Sequence, residues 1–246
     1  MTVGGRLPRV AVLTGAGISA GSGVPTFRGA GGLWRQYHPQ ELATPEAFAR
    51  DPKLVWEFYD WRRQRIAACQ PNPAHLTLVE MENILPDFTL VTQNVDGLHT
   101  QAGSRRVLFL HGDIWTVRCT ACAFRETNRQ TPLEPLPPLC PQCGQLLRPD
   151  VVWFGEALDP AVFAAARRAF RQADLALVIG TSALVYPAAE LPYLTKQAGG
   201  QILEFNTERT PLSSLADAVF LGPSEETLPA WWAEYRHQLE RTMDRR

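Results

Sequence analysis

Apolar positions along this chain fall into two rhythms. Short aliphatic runs recur at Val10 to Leu13, Phe88 to Val91, Val107 to Leu110, Leu175 to Ile179, Gln201 to Phe205 and Ala218 to Leu221. Runs this apolar, separated by helical patterns, are expected of parallel strands covered on both faces. Helices are predicted at Pro52 to Cys69, Pro73 to Ile84, Pro160 to Arg171, Ala188 to Gln197 and Leu228 to Met243. Several begin with proline, which the first turn tolerates because its N–H has no partner there. The alternation predicts the α/β class, with a doubly wound, Rossmann-type parallel sheet.

Two segments break the alternation. Arg28 to Cys69 holds a glycine-rich turn and an aromatic helix with Trp56, Phe58, Tyr59 and Trp61; between the third and fourth strands lies a segment with four cysteines. The expected division is a large domain of residues 1–27, 88–112 and 150–246, a partly helical insert of residues 28–87, and a module of residues 113–149. Insert and module would form one smaller lobe over the strand ends.

The cysteines form two C-x-x-C pairs, Cys119/Cys122 and Cys140/Cys143, with 17 residues between them. That spacing reads as a four-thiolate zinc site. Two tight turns each deliver two soft donors to a tetrahedral ion at about 2.3 Å. Four protein ligands leave no open position for water, so the zinc is expected to be structural. Two disulfides are the competing reading, disfavoured because no secretory leader precedes them and Cys69 is left over. The linker carries Pro132, Pro135, Pro137 and Pro138, as an extended surface loop would.

Composition narrows the function classes. The 246 residues are 45% hydrophobic and 20% charged, with a formal net charge of -1, so no global field recruits nucleic acid or an anionic membrane. No apolar run approaches the ~20 residues that cross a bilayer, and Met1 to Arg9 lacks a signal-peptide core. A soluble cytoplasmic protein, monomeric and without nucleic-acid or membrane partners, is the expectation.

The first strand runs into Thr14-Gly15-Ala16-Gly17-Ile18-Ser19-Ala20, a G-x-G-x-x-A turn of dinucleotide type. Glycines there would let the backbone approach a pyrophosphate, and a following helix N-terminus would offer free N–H groups. The ordinary fingerprint adds an acidic residue about 20 positions on, after a second strand. Here that region is Trp34-Arg35-Gln36-Tyr37-His38-Pro39. Later strands end instead in Gly180-Thr181-Ser182 and Asn206-Thr207-Glu208, where such sheets bind ligands. A dinucleotide held in a pose unlike that of a dehydrogenase follows.

These motifs, with Pro25-Thr26-Phe27-Arg28, Thr92-Gln93-Asn94-Val95-Asp96, His111-Gly112, the four cysteines and Val152-Trp153-Phe154-Gly155-Glu156, occur in the order seen in sirtuins, the NAD-dependent protein lysine deacylases. The chain resembles that family over nearly its whole length. The resemblance implies a cleft that NAD and an acyl-lysine protein or peptide enter from opposite sides. It assigns NAD to Gly15, Ala16, Gly17, Ile18, Ser19, Pro25, Thr26, Phe27, Arg28, Trp34, Gln93, Asn94, Val95, Asp96, Gly180, Thr181, Ser182, Asn206, Thr207, Glu208 and Ser224. Val152, Trp153, Phe154, Gly155 and Glu156 would add main-chain bonds to the substrate as an extra strand.

Within the family the chain looks like the branch that removes succinyl and malonyl groups. Its carriers are the Arg28 to Trp34 loop, including Ala30, and above all Phe58-Tyr59-Asp60-Trp61-Arg62. Tyr59 and Arg62 stand three apart and share a helix face. A guanidinium and a phenol there would read a carboxylate. Spacing alone would favour a solvated surface pair.

The implied mechanism has the acyl oxygen attack C1′ of the nicotinamide ribose, releasing nicotinamide and leaving an alkylimidate. His111 then acts as general base on a ribose hydroxyl. Asn94 and Gln93 would hold the ribose, and Asp96 the carboxamide. A nicotinamide-dependent oxidoreductase is the main rival, countered by the missing acidic residue. A zinc ribbon on nucleic acid, flanked by Arg118, Arg125, Arg129 and Arg148, is countered by the lack of basic excess. ADP-ribosyl transfer is countered by the presence of both Asn94 and His111.

Overall fold

A computed structural model describes residues 6–27 and 39–243. In chain order the elements are β1 (Val10–Thr14), α1 (Pro39–Leu42), α2 (Pro45–Arg50), α3 (Pro52–Ala67), α4 (Pro73–Ile84), β2 (Phe88–Thr92), α5 (Leu98–Ala102), β3 (Val107–Phe109), β4 (Gly112–Cys119), β5 (Arg125–Thr127) and β6 (Leu147–Val151). They continue with α6 (Pro160–Gln172), β7 (Leu175–Ile179), α7 (Leu191–Gln197), β8 (Gln201–Asn206), β9 (Ala218–Leu221) and α8 (Ser224–Met243).

Six strands form a parallel sheet in the order β3-β2-β1-β7-β8-β9, the Rossmann order with its switch point between β1 and β7. Every residue of these two central strands is buried. The pleat explains why alternation is absent from their sequence. Val10 and Val12, with Leu175, Leu177 and Ile179, face a core with Leu78 and Met81 of α4 and Trp232 of α8. Ala11 and Leu13, with Ala176 and Val178, face a core with Phe170 of α6 and Leu191 of α7. Both faces are therefore apolar, as parallel sheets require.

The second sheet is antiparallel, β5-β4-β6, and its core is shared with α2 and α3. Trp56, Phe58, Tyr59 and Ile66 pack there with Trp115, Val117, Leu147 and Trp153. Each of α2, α3 and α4 starts with proline behind a side-chain cap, Thr44, Asp51 and Asn72 respectively. These caps satisfy otherwise orphaned first-turn N–H groups.

Packing moves some expected boundaries. Residues 28–87 were expected in the smaller lobe, but Ala74, Leu78, Met81 and Leu85 bury against the six-stranded sheet, so α4 belongs with that sheet. Gly112 pairs with Val151 and Cys119 with Leu147, so the cysteine-bearing sheet reaches past both ends of the 113–149 module. The helix expected from Ala188 opens as a 3-10 turn and becomes α7 at Leu191. Helix α8 begins four residues before Leu228 and carries Pro229 inside it. No helix among the described residues is long and apolar enough to cross a membrane.

Candidate active site

A cleft of about 670 Å³ opens over the carboxyl ends of β1, β2, β7 and β8, between the two sheets. That size is typical of small-ligand sites, which span about 300–1,000 Å³. The β1 turn forms its floor. A 3-10 turn over Ala16–Ser22 follows β1, where an α-helix was expected, and Gly23 closes it at φ 89°.

The glycines of this turn answer to protein backbone. Gly17 N donates to the Gly180 carbonyl at 2.8 Å. A Cβ on Gly17 would come 2.7 Å from Gly180 Cα, and one on Gly180 would come 2.3 Å from Ile18 N. The two turns interlock with no room for side chains. The pyrophosphate argument for these glycines is therefore incomplete: their first requirement is contact between the β1 and β7 turns.

Beneath the floor lies a buried polar cluster. Ser19 Oγ donates to Asp96 Oδ2 at 2.8 Å, and Asn94 Nδ2 reaches the Gly15 carbonyl at 3.1 Å and Ser19 Oγ at 3.3 Å. Asp96 Oδ1 accepts from Leu98 N at 2.9 Å. Burial nevertheless pushes the Asp96 carboxyl above its ordinary value, against the Leu98 and Ser19 bonds and the charge of Arg62. Two histidines complete the cluster, His75 against Ser19 and His99 Nε2 on Thr14 Oγ1 at 2.9 Å, with their rings 4.9 Å apart. Burial lowers His75 to about 4 and His99 well below its ordinary value. Both are neutral at neutral pH.

His111 follows β3 and lines the cleft. Its Nδ1 lies 3.0 Å from the Gln93 carbonyl oxygen. A carbonyl only accepts, so Nδ1 carries the proton and Nε2 is left with a free lone pair. Burial lowers the His111 pKa, partly opposed by that bond. Gln93 Nε2 in turn donates to Thr181 Oγ1 at 3.0 Å, and Asn206 Nδ2 to the Thr181 carbonyl at 2.9 Å. The ends of β2, β7 and β8 are thus laced together.

Opposite, α3 presents Tyr59 and Arg62 to the cleft. Both are buried, at 4% exposure each, so the solvated-pair reading does not hold. Arg62 stacks 4.3 Å over the Phe27 ring, and its Nη1 is buried with no hydrogen-bond partner among the described residues. Such an orphan is expensive unless a ligand answers it. Tyr59 accepts a bond from Trp153 Nε1 at 2.8 Å, and burial pushes its phenol up to about 12.

Of the residues expected to hold a dinucleotide, Gly15, Ala16, Gly17, Thr26, Phe27, Gln93, Asn94, Val95, Gly180, Thr181, Ser182, Asn206, Thr207, Glu208 and Ser224 line the cleft. Ser224 Oγ is buried there with no hydrogen-bond partner among the described residues. Ile18 is core, Ser19 and Asp96 lie behind the lining, and Pro25 stands outside it. Arg28, Ala30 and Trp34 lie outside the described residues. All five residues of Val152 to Glu156 line the cleft, but they form a turn after β6 and no regular strand. The N–H groups of Val152, Trp153, Phe154 and Glu156 already bond within the chain. The segment can therefore offer an incoming peptide its carbonyls and the Gly155 N–H.

A model of the Sir2 family matches residues 15–187. The chain belongs to the Sir2 family. It is 56% identical to an NAD-dependent protein deacylase of Aquifex aeolicus over 86% of this chain and 88% of that one. Against the NAD-dependent protein deacylase of Pyrococcus furiosus identity is 51%, over 91% of each. Among solved structures, a mutant Sir2 homologue in complex with ADP-ribose superposes with a TM-score of 0.90 at 47% identity, covering 94% of this chain and 93% of that one. A Sir2 homologue–NAD complex gives 0.88 at 48%, covering 94% and 90%.

This sirtuin also carries the four-cysteine cluster. The Sγ atoms all lie within 4.8 Å of one another, with Cys119 to Cys143 at 3.4 Å and Cys122 to Cys140 at 3.6 Å. Those separations are too long for a disulfide, near 2.05 Å, and match the roughly 3.8 Å edges of a tetrahedron with about 2.3 Å metal–sulfur bonds. Main-chain N–H groups of Ala121 and Cys122 point at Cys119 Sγ, which favours its thiolate. The donor set suits structural zinc.

Thr14 stands in the glycine turn and His99 in the polar stretch that begins at Gln93, but their mutual contact, and any part for His75, depend on segments distant along the chain. Nor did reading the sequence find Arg148 as a partner of Glu156. Those arginines of the module are engaged within the chain: Arg118 with Asp150, Arg125 with Asp150, Arg148 with Glu156, and Arg129 over Trp115.

Proposed function

We propose that this sirtuin, an NAD-dependent protein deacylase, removes succinyl and malonyl groups from lysine side chains and also acts on acetyl-lysine. The observation that carries the acyl choice is the Arg62 guanidinium, buried in the cleft wall with Nη1 unanswered and the Tyr59 phenol on the same helix face. A terminal carboxylate would accept from both in charge-assisted bonds, which are shorter and stronger than neutral ones. The aromatic rings of Phe27 and Phe58 around Arg62 exclude water and strengthen that attraction.

The glycine turn, Gln93 and Asn94 support a dinucleotide on the cleft floor, and the Sir2 homologue–NAD complex shares this fold. NAD, when bound, supplies an electrophilic ribose carbon, nicotinamide as leaving group, and a hydroxyl that takes the acyl group. The chain supplies positions and proton transfers. Gln93 and Asn94, in the lining, would orient the ribose, and Asp96, just behind it, would hold the nicotinamide carboxamide. Phe27 shields the reacting carbon from water. His111 lines the cleft, and its Nε2, left as an acceptor by the Nδ1 bond to Gln93, would receive the hydroxyl proton. Carbonyls of the Val152 to Glu156 turn hold the substrate backbone, so sequence preference beyond the modified lysine is loose. Zinc, held by Cys119, Cys122, Cys140 and Cys143, closes the antiparallel sheet and takes no part in the chemistry.

Mass spectrometry of succinyl-lysine and acetyl-lysine peptides incubated with and without NAD tests the proposal. Expected are NAD-dependent loss of both groups, succinyl faster, and an ADP-ribose product carrying the acyl group. Deacetylation without desuccinylation would reject the acyl reading. Reduction of NAD with a rise at 340 nm would reject the deacylase reaction itself.

A further inference from the structure

We propose that Trp153 is a positioning residue for acyl choice: its indole N–H makes the Tyr59 oxygen an acceptor on one side, which directs the phenol proton into the acyl pocket. This rests on the reading of Tyr59 and Arg62 as the groups that meet the acyl carboxylate.

Trp153 Nε1 lies 2.8 Å from Tyr59 Oη, and both side chains are buried. An indole nitrogen donates and never accepts, so Tyr59 is the acceptor in this bond and its single proton must point elsewhere. No described residue accepts that proton, while Tyr59 itself lines the cleft. Burial holds the phenol protonated far above neutral pH. Accepting from an N–H also polarises the O–H and makes it a stronger donor. An acetyl methyl gives such a donor nothing to bind. A terminal carboxylate accepts it in a charge-assisted bond.

The indole is itself held firmly. Arg148 lies with its guanidinium carbon 3.4 Å from the Trp153 ring centroid. Glu156 holds that guanidinium at 2.6 and 2.9 Å, and the Val151 carbonyl accepts from it at 2.9 Å. Glu156 Oε2 also accepts from Trp153 N at 2.8 Å. Ring face and backbone are thus gripped by one ion pair on β6 and the turn after it. The turn that meets the peptide and the side chain that aims the phenol are therefore a single unit.

Steady-state kinetics of Trp153→Phe on succinyl- and acetyl-lysine forms of one peptide test this. The ratio of kcat/KM between the two forms cancels main-chain effects. It is expected to fall about 5- to 10-fold, through a raised KM for the succinyl form, the scale of one hydrogen bond. In a Tyr59→Phe background the same substitution should leave the ratio where Tyr59→Phe put it, because the two residues act as one unit. An unchanged ratio, or an equal fall in both backgrounds, overturns the proposal. Should Trp153→Phe not fold, the indole N–H resonance of Trp153 in 15N-labelled protein is the readout. It is expected to shift in Tyr59→Phe and on adding the succinyl peptide, and a resonance that moves in neither case overturns the proposal. Wild-type protein inactive on the succinyl peptide rejects the acyl reading first, before any variant is made.

Discussion

The imidazole of His111 and the main chain of Gln93 meet at 3.0 Å across the ends of two neighbouring strands, β3 and β2. The bond fixes the ring tautomer, and burial keeps the ring neutral to lower pH than usual. A general base works only unprotonated, so a lowered pKa carries activity further into acid. The acid limb of kcat/KM against pH is expected below 6.5, the ordinary histidine value. His111→Tyr is expected to reduce turnover by roughly 10²- to 10⁴-fold with the circular dichroism spectrum unchanged. A limb above pH 7, or full activity in the variant, would remove His111 from the mechanism.

Arg62→Met takes away the guanidinium and keeps most of the apolar stem. Losing one charge-assisted bond to a carboxylate is expected to lower desuccinylation by about 1.5–3 kcal/mol, roughly 10- to 150-fold, and deacetylation far less. Competition between the two peptides in one tube reads this directly. Equal losses would mean that Arg62 does not sense the acyl charge.

Metal removal should unfold the antiparallel sheet. Cys119 and Cys140 are part of its core, with Leu133, Val117 and Leu147. Structural zinc contributes an apparent 10–16 kcal/mol in small modules, comparable to the whole stability of a domain, about 5–15 kcal/mol. A chelator is expected to lower the melting temperature and to change tryptophan fluorescence, since Trp56, Trp115 and Trp153 share that core. Melting that is indifferent to metal content would contradict the structural role.

Asp96→Asn should stabilise the fold at neutral pH while lowering activity. The folded state raises the Asp96 pKa, so its contribution to stability is fully present below the unfolded value near 3.9 and is lost as pH rises through the folded pKa. Above that window a neutral side chain avoids the buried charge, and Ser19 can turn its hydroxyl to suit an amide. Thermal melts of both proteins from pH 4 to 8 should diverge upward with pH. A variant less stable than wild type at pH 8 would show that the carboxylate bonds outweigh its desolvation.

The parallel sheet was legible because β1, β2, β7, β8 and β9 are short, apolar and spaced by helices, and the zinc cluster because four cysteines can converge in few ways. Expected strand limits at Val10, Phe88 and Leu175 stand to within a residue. Strands β4, β5 and β6 escaped notice. Arg125–Thr127 is exposed at all three positions and Leu147–Val151 contains proline and two charges, so neither carries a strand-like pattern. Cleft residues that follow strands were readable from position alone. The buried network of Thr14, Ser19, His75 and His99 was not, because it joins segments up to 85 residues apart through ordinary polar side chains.

Where Gly17 crosses Gly180, main chain rests on main chain. Redesign of this enzyme therefore has an asymmetric freedom. The floor where the β1 and β7 turns cross has no room for an added carbon at Gly17 or Gly180, whereas the acyl wall is built of side chains, Tyr59, Arg62 and Trp153, whose shape can change only together because they pack in one buried core. New acyl preferences are to be sought in that wall, repacked as a unit, while side chains at Gly17 and Gly180 would push the two turns apart.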